Sequence, residues 1–239
     1  MSHTPPSPTD SIRIGTAGWA VPGPYRESNS SASHLEQYAR FFNAVEINSS
    51  FRKPHRASSY RRWSDSVPDN FRFSVKLPKR ISHDQALKEC TGDLLAFLKI
   101  SAVLGDKLGA LLVQLPPSLV LDEGVARAFF AVLCGDVSAS IVCEPRHPSW
   151  FTPDADQLFC DFKVSRVQAD PPPRHCAPDS TSDFAIRYFR LHGSPLIYYS
   201  SYSEQFLTTL AGQIAREAAR ETWCMFDNTA GAAAWPNAL

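Results

Sequence analysis

Ile141-Val142-Cys143-Glu144-Pro145-Arg146-His147-Pro148-Ser149-Trp150 is a short apolar run that ends in a carboxylate, a guanidinium and an imidazole. The pattern reads as a strand that carries a polar cluster to its own C-terminal end. In a chain that alternates strands and helices, the bodies of parallel strands are buried, whereas the turns at their carboxyl ends are open and collect substrates. The fold therefore turns on whether other strands aim at the same place.

The flanking segments repeat the strand-then-helix order. Downstream, Asp154 to Cys160 has helical spacing, Val164 to Gln168 is a sixth strand ending near Asp170, and Asp170-Pro171-Pro172-Pro173 forces an extended loop. Phe184 to Leu191 reads as strand seven, Ser203 to about Arg220 as a helix, Trp223 to Phe226 as strand eight, and a last helix follows Gly231. Upstream, Asp122 opens a helix through Leu133, and Leu108 to Leu115 is strand four, stopped by Pro116-Pro117. Before it, Leu94 to Leu104 has helical spacing and closes at Gly105, and Phe71 to Lys76 is strand three. Arg56 to Ser66 is a helix, Ala44 to Asn48 strand two, and Ser33 with Glu36 three residues on has the spacing of a capping box. Ile12 to Gly15 is strand one, followed by a tight turn at Thr16-Ala17-Gly18-Trp19.

Eight such units in this length predict an α/β chain, specifically a closed (β/α)8 barrel of the TIM type, rather than an open doubly wound sheet. An open sheet of that kind usually carries a glycine-rich phosphate loop after strand one. Gly15-Thr16-Ala17-Gly18 lacks the required spacing, and neither a P-loop nor a solenoid repeat is present. A hydrophobic content of 44% in 239 residues suffices for one large core, so residues 12–239 read as a single domain and residues 1–11, rich in Ser, Thr and Pro, as a loose tail.

Bulk properties narrow the function. Twenty-four basic residues balance 24 acidic ones, so no overall field gathers a polyanion or holds an acidic membrane. No apolar run approaches the ~20 residues that cross a bilayer. The start lacks the basic and apolar regions of a secretory signal. Six scattered cysteines without a C-x-x-C pair suit reduced, mostly buried thiols. Together these features predict a cytoplasmic, soluble protein.

Side chains alternate faces along a strand, so parity tells which polar residues share a direction. Glu46 pairs in this sense with Asn48, Glu144 with Arg146, Gln168 with Asp170, and Arg190 with His192. Lys76, Gln114, and Asp227 with Asn228 close strands three, four and eight. One buried ion pair is an ordinary structural device, but polar residues ending seven strands, always at the carboxyl end, form the active-site pattern of a barrel. Burying that many charges is a poor route to stability compared with aliphatic packing, so a ligand explains them better. His147 suits either substrate contact or capping of the next turn, while His192, beside Gly193 and in phase with Arg190, is the better acid or base. Trp19 lies in a top-face loop and suits stacking on a ring or covering the core.

The stretches Ile14-Gly15-Thr16-Ala17-Gly18-Trp19, Val45 to Phe51, Phe71 to Lys76, Leu112 to Pro117, Glu144 to Trp150, Arg190-Leu191-His192-Gly193 and Phe226-Asp227-Asn228-Thr229 together resemble the YecE-like family, known as domain of unknown function 72. The resemblance runs from about Ile12 to the end. It implies a TIM-type barrel with a top-face pocket, and it supplies no reaction. The chain departs from the family pattern at Pro145, where an aromatic residue usually stands, at Arg52, where a Tyr usually follows Phe51, and in the loop Ala20 to Pro24, which lacks the usual aromatic.

The reaction expected from these residues is hydrolysis or lyase-type cleavage of an anionic, phosphorylated or sugar-like substrate. Glu46, Glu144 and His192 are the expected proton carriers. Lys76, Arg146, Arg190, Gln114, His147, Asn48, Asp227, Asn228 and Trp19 are the expected binding residues. No cofactor is implied and no metal-ligand spacing appears, although acidic strand ends leave open a divalent-metal-dependent phosphodiesterase or isomerase. A non-catalytic nucleotide or nucleic-acid binding protein is the further alternative, and the neutral charge counts against a long polyanion.

Overall fold

The computed structural model describes residues 12–27, 30–135, 137–173, 186–216 and 221–239. The expected tail 1–11, the first residues of the expected seventh strand, the last turn of the helix expected to reach Arg220, and Cys176 lie outside them. Nine strands run through the described residues: β1 (Ile12–Thr16), β2 (Ala44–Ile47), β3 (Arg72–Lys76), β4 (Leu108–Gln114), β5 (Ser140–Glu144), β6 (Ser165–Arg166), β7 (Gln168–Asp170), β8 (Arg187–Leu191) and β9 (Thr222–Phe226). They alternate with α1 (His34–Tyr38), α2 (Ala57–Asp65), α3 (Thr91–Ser101), α4 (Glu123–Leu133), α5 (Pro153–Asp161), α6 (Glu204–Arg216) and α7 (Ala234–Ala238).

Every strand pair is parallel, in two sheets ordered β1-β9-β8-β7 and β2-β3-β4-β5-β6. Strand bodies with apolar residues on both faces need cover on both, which parallel sheets obtain from their crossover helices. The expected sixth strand is divided. Val167 still donates its amide to Cys143 O of β5 at 2.8 Å, but from Gln168 onward the register passes to β8, with Gln168 opposite Phe189. One continuous segment thus leaves the edge of one sheet and joins the edge of the other. At the opposite edges, Ala17 bridges to Glu46 and Gly18 N–H donates to Glu46 O at 2.9 Å.

Local chemistry explains the element boundaries. At α1 the Ser33 hydroxyl accepts from Glu36 N–H (3.3 Å) while the Glu36 carboxylate accepts from Ser33 N–H (2.6 Å), the reciprocal pair that its spacing predicts. Asp122 and Thr152 cap α4 and α5 in the simpler way, each accepting from the amide three residues on. Gly105, at φ +59°, breaks the helical path after α3, where its expected stop lay.

Two apolar clusters hold the molecule. The larger lies between strands and helices, and the smaller comprises Ala44, Ala110, Leu112, Val142, Val167, Ile186, Tyr188, Trp223 and Met225. This inner cluster draws on both sheets and fits tightly around Trp223: a Cβ at Gly109 would stand 2.5 Å from the indole ring. Side chains one pleat further along the same strand faces are the polar ends described next.

A buried charge cluster at the strand ends

Arg190, at the end of β8, is fully buried (0% exposed) and sits at the centre of the cluster. Its Nε and Nη2 donate to the two oxygens of Glu46 at 2.9 and 2.7 Å. Its Nη1 donates to Gln114 Oε1 at 3.0 Å and Glu144 Oε2 at 2.7 Å, and Nη2 also donates to Asp227 Oδ2 at 2.9 Å. All five guanidinium N–H groups are therefore used, on residues from β2, β4, β5 and the end of β9. Burial works against the charge of Arg190, but Glu46, Asp227 and Glu144 outweigh it and drive its pKa well above the ordinary value.

His192 lies two residues on, on the same strand face and equally buried. Nε2 is 2.9 Å from Glu144 Oε1 and Nδ1 is 3.1 Å from Asp227 Oδ2. Burial disfavours the imidazolium, but the Glu144 charge and hydrogen bonds to both carboxylates overcome it and raise the pKa above 6.5. This geometry suits an imidazolium, which would donate to one carboxylate from each nitrogen. Arg146 Nη2 forms an ion pair with the same Glu144 Oε1 and approaches His192 Nε2 to 2.8 Å, so two donors converge on one oxygen. Burial pushes the Glu144 carboxyl upward, yet Arg190, Arg146 and His192 together hold it well below the usual carboxylate range. Asp227 is lowered in the same way, with Arg190 and His192 overriding burial.

Among the described residues, two donor groups at the cluster carry no partner. Arg146 is partly exposed and its Nε is buried without a hydrogen bond. Lys76, 6% exposed, forms no side-chain hydrogen bond or ion pair among the described residues; its ammonium lies 4.3 Å from the centre of the Phe51 ring. Burial first, then the Arg190 charge, push its pKa down to about 8 against the pull of Glu46, Asp227 and Glu144.

The structure thus brings together Glu46, Lys76, Gln114, Glu144, Arg146, Arg190, His192 and Asp227. It holds four other expected site residues elsewhere. His147 caps the turn Pro148–Trp150, its Nδ1 accepting from Ser149 N–H at 3.1 Å. Asn228 Nδ2 donates to Ser200 O and Asn237 Oδ1, both at 2.9 Å. Trp19 packs edge-on against Trp63, and Asn48 begins the turn Ser49–Phe51 with no side-chain bond to the cluster. Among the described residues no group of three or more His, Cys, Asp or Glu is disposed to hold a metal ion.

Sequence reading missed Tyr188 and Ser74. The Tyr188 hydroxyl donates to Ser74 Oγ at 2.8 Å and lies 3.3 Å from Glu46 Oε2, closing the cluster from below. Their phase with Arg190 and with Lys76 along the same strands was the available signal. Tyr198 was also missed: its ring stands edge-on to His192 at 5.8 Å, from a loop position at φ +72°.

A family model described as "Protein of unknown function DUF72" matches residues 13–239. The UPF0759 protein YecE of Escherichia coli (strain K12) is 32% identical over 172 residues, which cover 70% of this chain and 61% of that protein. The aligned part thus spans about three fifths of the length of that curated relative. A solved DUF72 family protein from Thermotoga maritima superposes with a TM-score of 0.80 at 23% identity, covering 95% of this chain and 96% of that one. A DUF72 family protein from Enterococcus faecalis gives 0.76 at 22%, covering 95% and 92%. At these identities the structural likeness shows the fold.

Proposed function

Because the chain belongs to the DUF72 family, which brings a fold without a reaction, we propose from the strand-end cluster that it is an acid–base enzyme for an anionic substrate. The reaction class is hydrolysis or lyase-type cleavage of a phosphorylated or sugar-like compound. The observation that carries this reading is a buried imidazole held between two carboxylates, with the unpartnered Nε of Arg146 beside it. His192 gives and takes the proton at the reacting centre, and Glu144 sets its charge. Arg146 orients the anion, as a donor with capacity to spare, and Lys76 contacts the substrate beside it. Glu46 has both oxygens on Arg190, so in this reading it is the counter-ion that fixes Arg190 rather than a proton carrier.

The two sheets are taken as two arcs of one (β/α)8 barrel in a single domain, supported by the crossing at Val167, the Gly18 to Glu46 hydrogen bond and the apolar cluster drawn from both sheets. In that barrel the charge cluster stands at the C-terminal mouth, where such folds hold their active sites. The free thiols of Cys90, Cys134, Cys143, Cys160 and Cys224 suit a reducing, cytoplasmic setting.

The test is a turnover screen over phosphate esters and sugar phosphates with the parent chain, His192→Gln and Arg146→Ala. Loss of a positioned acid–base group costs about 10²–10⁴-fold in rate, so His192→Gln should fall by that amount in kcat and Arg146→Ala chiefly in KM. Full turnover by His192→Gln on the substrate found would sink the assignment.

A further inference from the structure

The cluster contains one more cation than its charges require. With His192 charged, the three carboxylates Glu46, Glu144 and Asp227 are matched by Arg190, Arg146 and the imidazolium, which leaves Lys76 in surplus. Of the chain's seven lysines it alone is buried. The others are spread over exposed surface or, like Lys107, tied to backbone carbonyls. Lys76 closes β3 at the same end as Glu46, Gln114 and Glu144 close theirs, its side chain lying against an aromatic ring instead of an anion.

A lysine needed only to attract an anion is best left hydrated and charged. One walled by an aromatic ring and deprived of a partner is suited to shed its proton and attack. We propose that Lys76 is a nucleophilic amine that condenses with an aldehyde or ketone of the substrate, which makes the substrate an anionic carbonyl compound such as a keto acid or an open-chain sugar phosphate. This deepens the acid–base reading above and rests on it for proton transfer.

The chemistry balances without a further reactant. The amine lone pair adds to the carbonyl carbon, the carbonyl electron pair moves to oxygen, and that oxygen takes a proton from His192. The adduct gives one amine proton to the base to become a carbinolamine, whose hydroxyl takes a second proton from His192 and leaves as water, so the C–N bond becomes C=N and the remaining N–H stays on nitrogen as a protonated imine. The protonated imine then accepts the electron pair released when a neighbouring C–H or C–C bond breaks, which is what lyase-type cleavage demands.

The groups that face Lys76 set its proton affinity: Glu46 on β2, Glu144 on β5, Arg190 on β8 and Asp227 after β9, with His83 within electrostatic reach. Burial and Arg190 dominate, so the amine is a substantial minority species at neutral pH. At pH 7.5 a lysine titrating near 8 is about a quarter unprotonated, against roughly 0.1% for one titrating at 10.5.

The proposal is tested on the full chain with glyoxylate, a carbonyl acid small enough to enter any mouth, and sodium borohydride to fix the imine. Peptide mass spectrometry over the range from about pH 6 to 11 then reports each lysine separately. Lys76 should be labelled at least about tenfold faster than the other six at pH 7.5, with a midpoint near 8, and in Lys76→Arg the label should vanish with the circular dichroism unchanged. Labelling confined to the exposed lysines, or a Lys76 midpoint above about 10, would overturn it. The two readings fail separately. Absent trapping together with an inactive His192→Gln removes only the imine, whereas trapping together with a fully active His192→Gln keeps the reactive amine and removes the acid–base assignment.

Discussion

At the scale of single residues, the cluster separates side chains that hold the site from those left available to a ligand. Arg190 belongs to the first kind. Arg190→Ala strands three buried carboxylates, and removing one partner from such a network costs about 3–5 kcal/mol, which urea denaturation should read directly. Lys76 belongs to the second, and its effect on stability has the opposite sign. The unfolded chain keeps its proton up to about pH 10.5, whereas the folded chain releases it near 8, so between these values the unfolded state binds more protons and stability rises with pH. Below pH 8 the buried charge costs about 3 kcal/mol. Lys76→Met should therefore stabilise the protein at pH 7 by up to that amount and flatten its stability profile between pH 8 and 10.5. A destabilised Lys76→Met would show the ammonium to be paired after all. In the proposed reading, such a cost at a strand end is retained for chemistry rather than for folding.

At the scale of elements, the sequence was most legible where one local rule sufficed. Strand parity placed Glu144 with Arg146 and Arg190 with His192, and the structure keeps both pairs together. It was silent where two elements had to be known at once: Tyr188 joins Glu46 and Ser74 only because β8 faces β2 and β3 across the inner cluster. Asn48 and Asn228 have the right polarity and position, but the chain has already turned away at each, into a short helical turn at Ser49 and a network with Ser200 and Asn237. His147 illustrates an ambiguity settled by its neighbour, since Ser149 offers the amide that its Nδ1 accepts. The strand interiors allow a sharp check. Gly109 lies on β4 where a Cβ would reach 2.5 Å from the Trp223 ring, so Gly109→Ala should destabilise by about 1–3 kcal/mol through overpacking. Calorimetry would read this as a lowered Tm, and an unchanged Tm would mean that the indole moves aside freely.

At the scale of the whole molecule, alternation of strands and helices was enough to foresee parallel sheets, and bulk charge enough to expect no general polyanion field. The division of the sixth strand was not foreseeable, because a run of five residues such as Val164 to Gln168 carries no mark of where it changes partners. If the two sheets are arcs of one barrel, they unfold together. Native-state hydrogen exchange should then give the amides of β4 and β8 one common global free energy, whereas two separated classes would mean two independent sheets. The saturated guanidinium of Arg190 has a further consequence, for descent rather than for chemistry. Its five bonds tie together residues from segments far apart in the chain, and a lone replacement at almost any of them leaves a charge with nowhere to go. Lineages that drift at one of these positions are thus expected to change several together, so that Glu46, Gln114, Glu144, Arg190 and Asp227 are inherited or abandoned as a block.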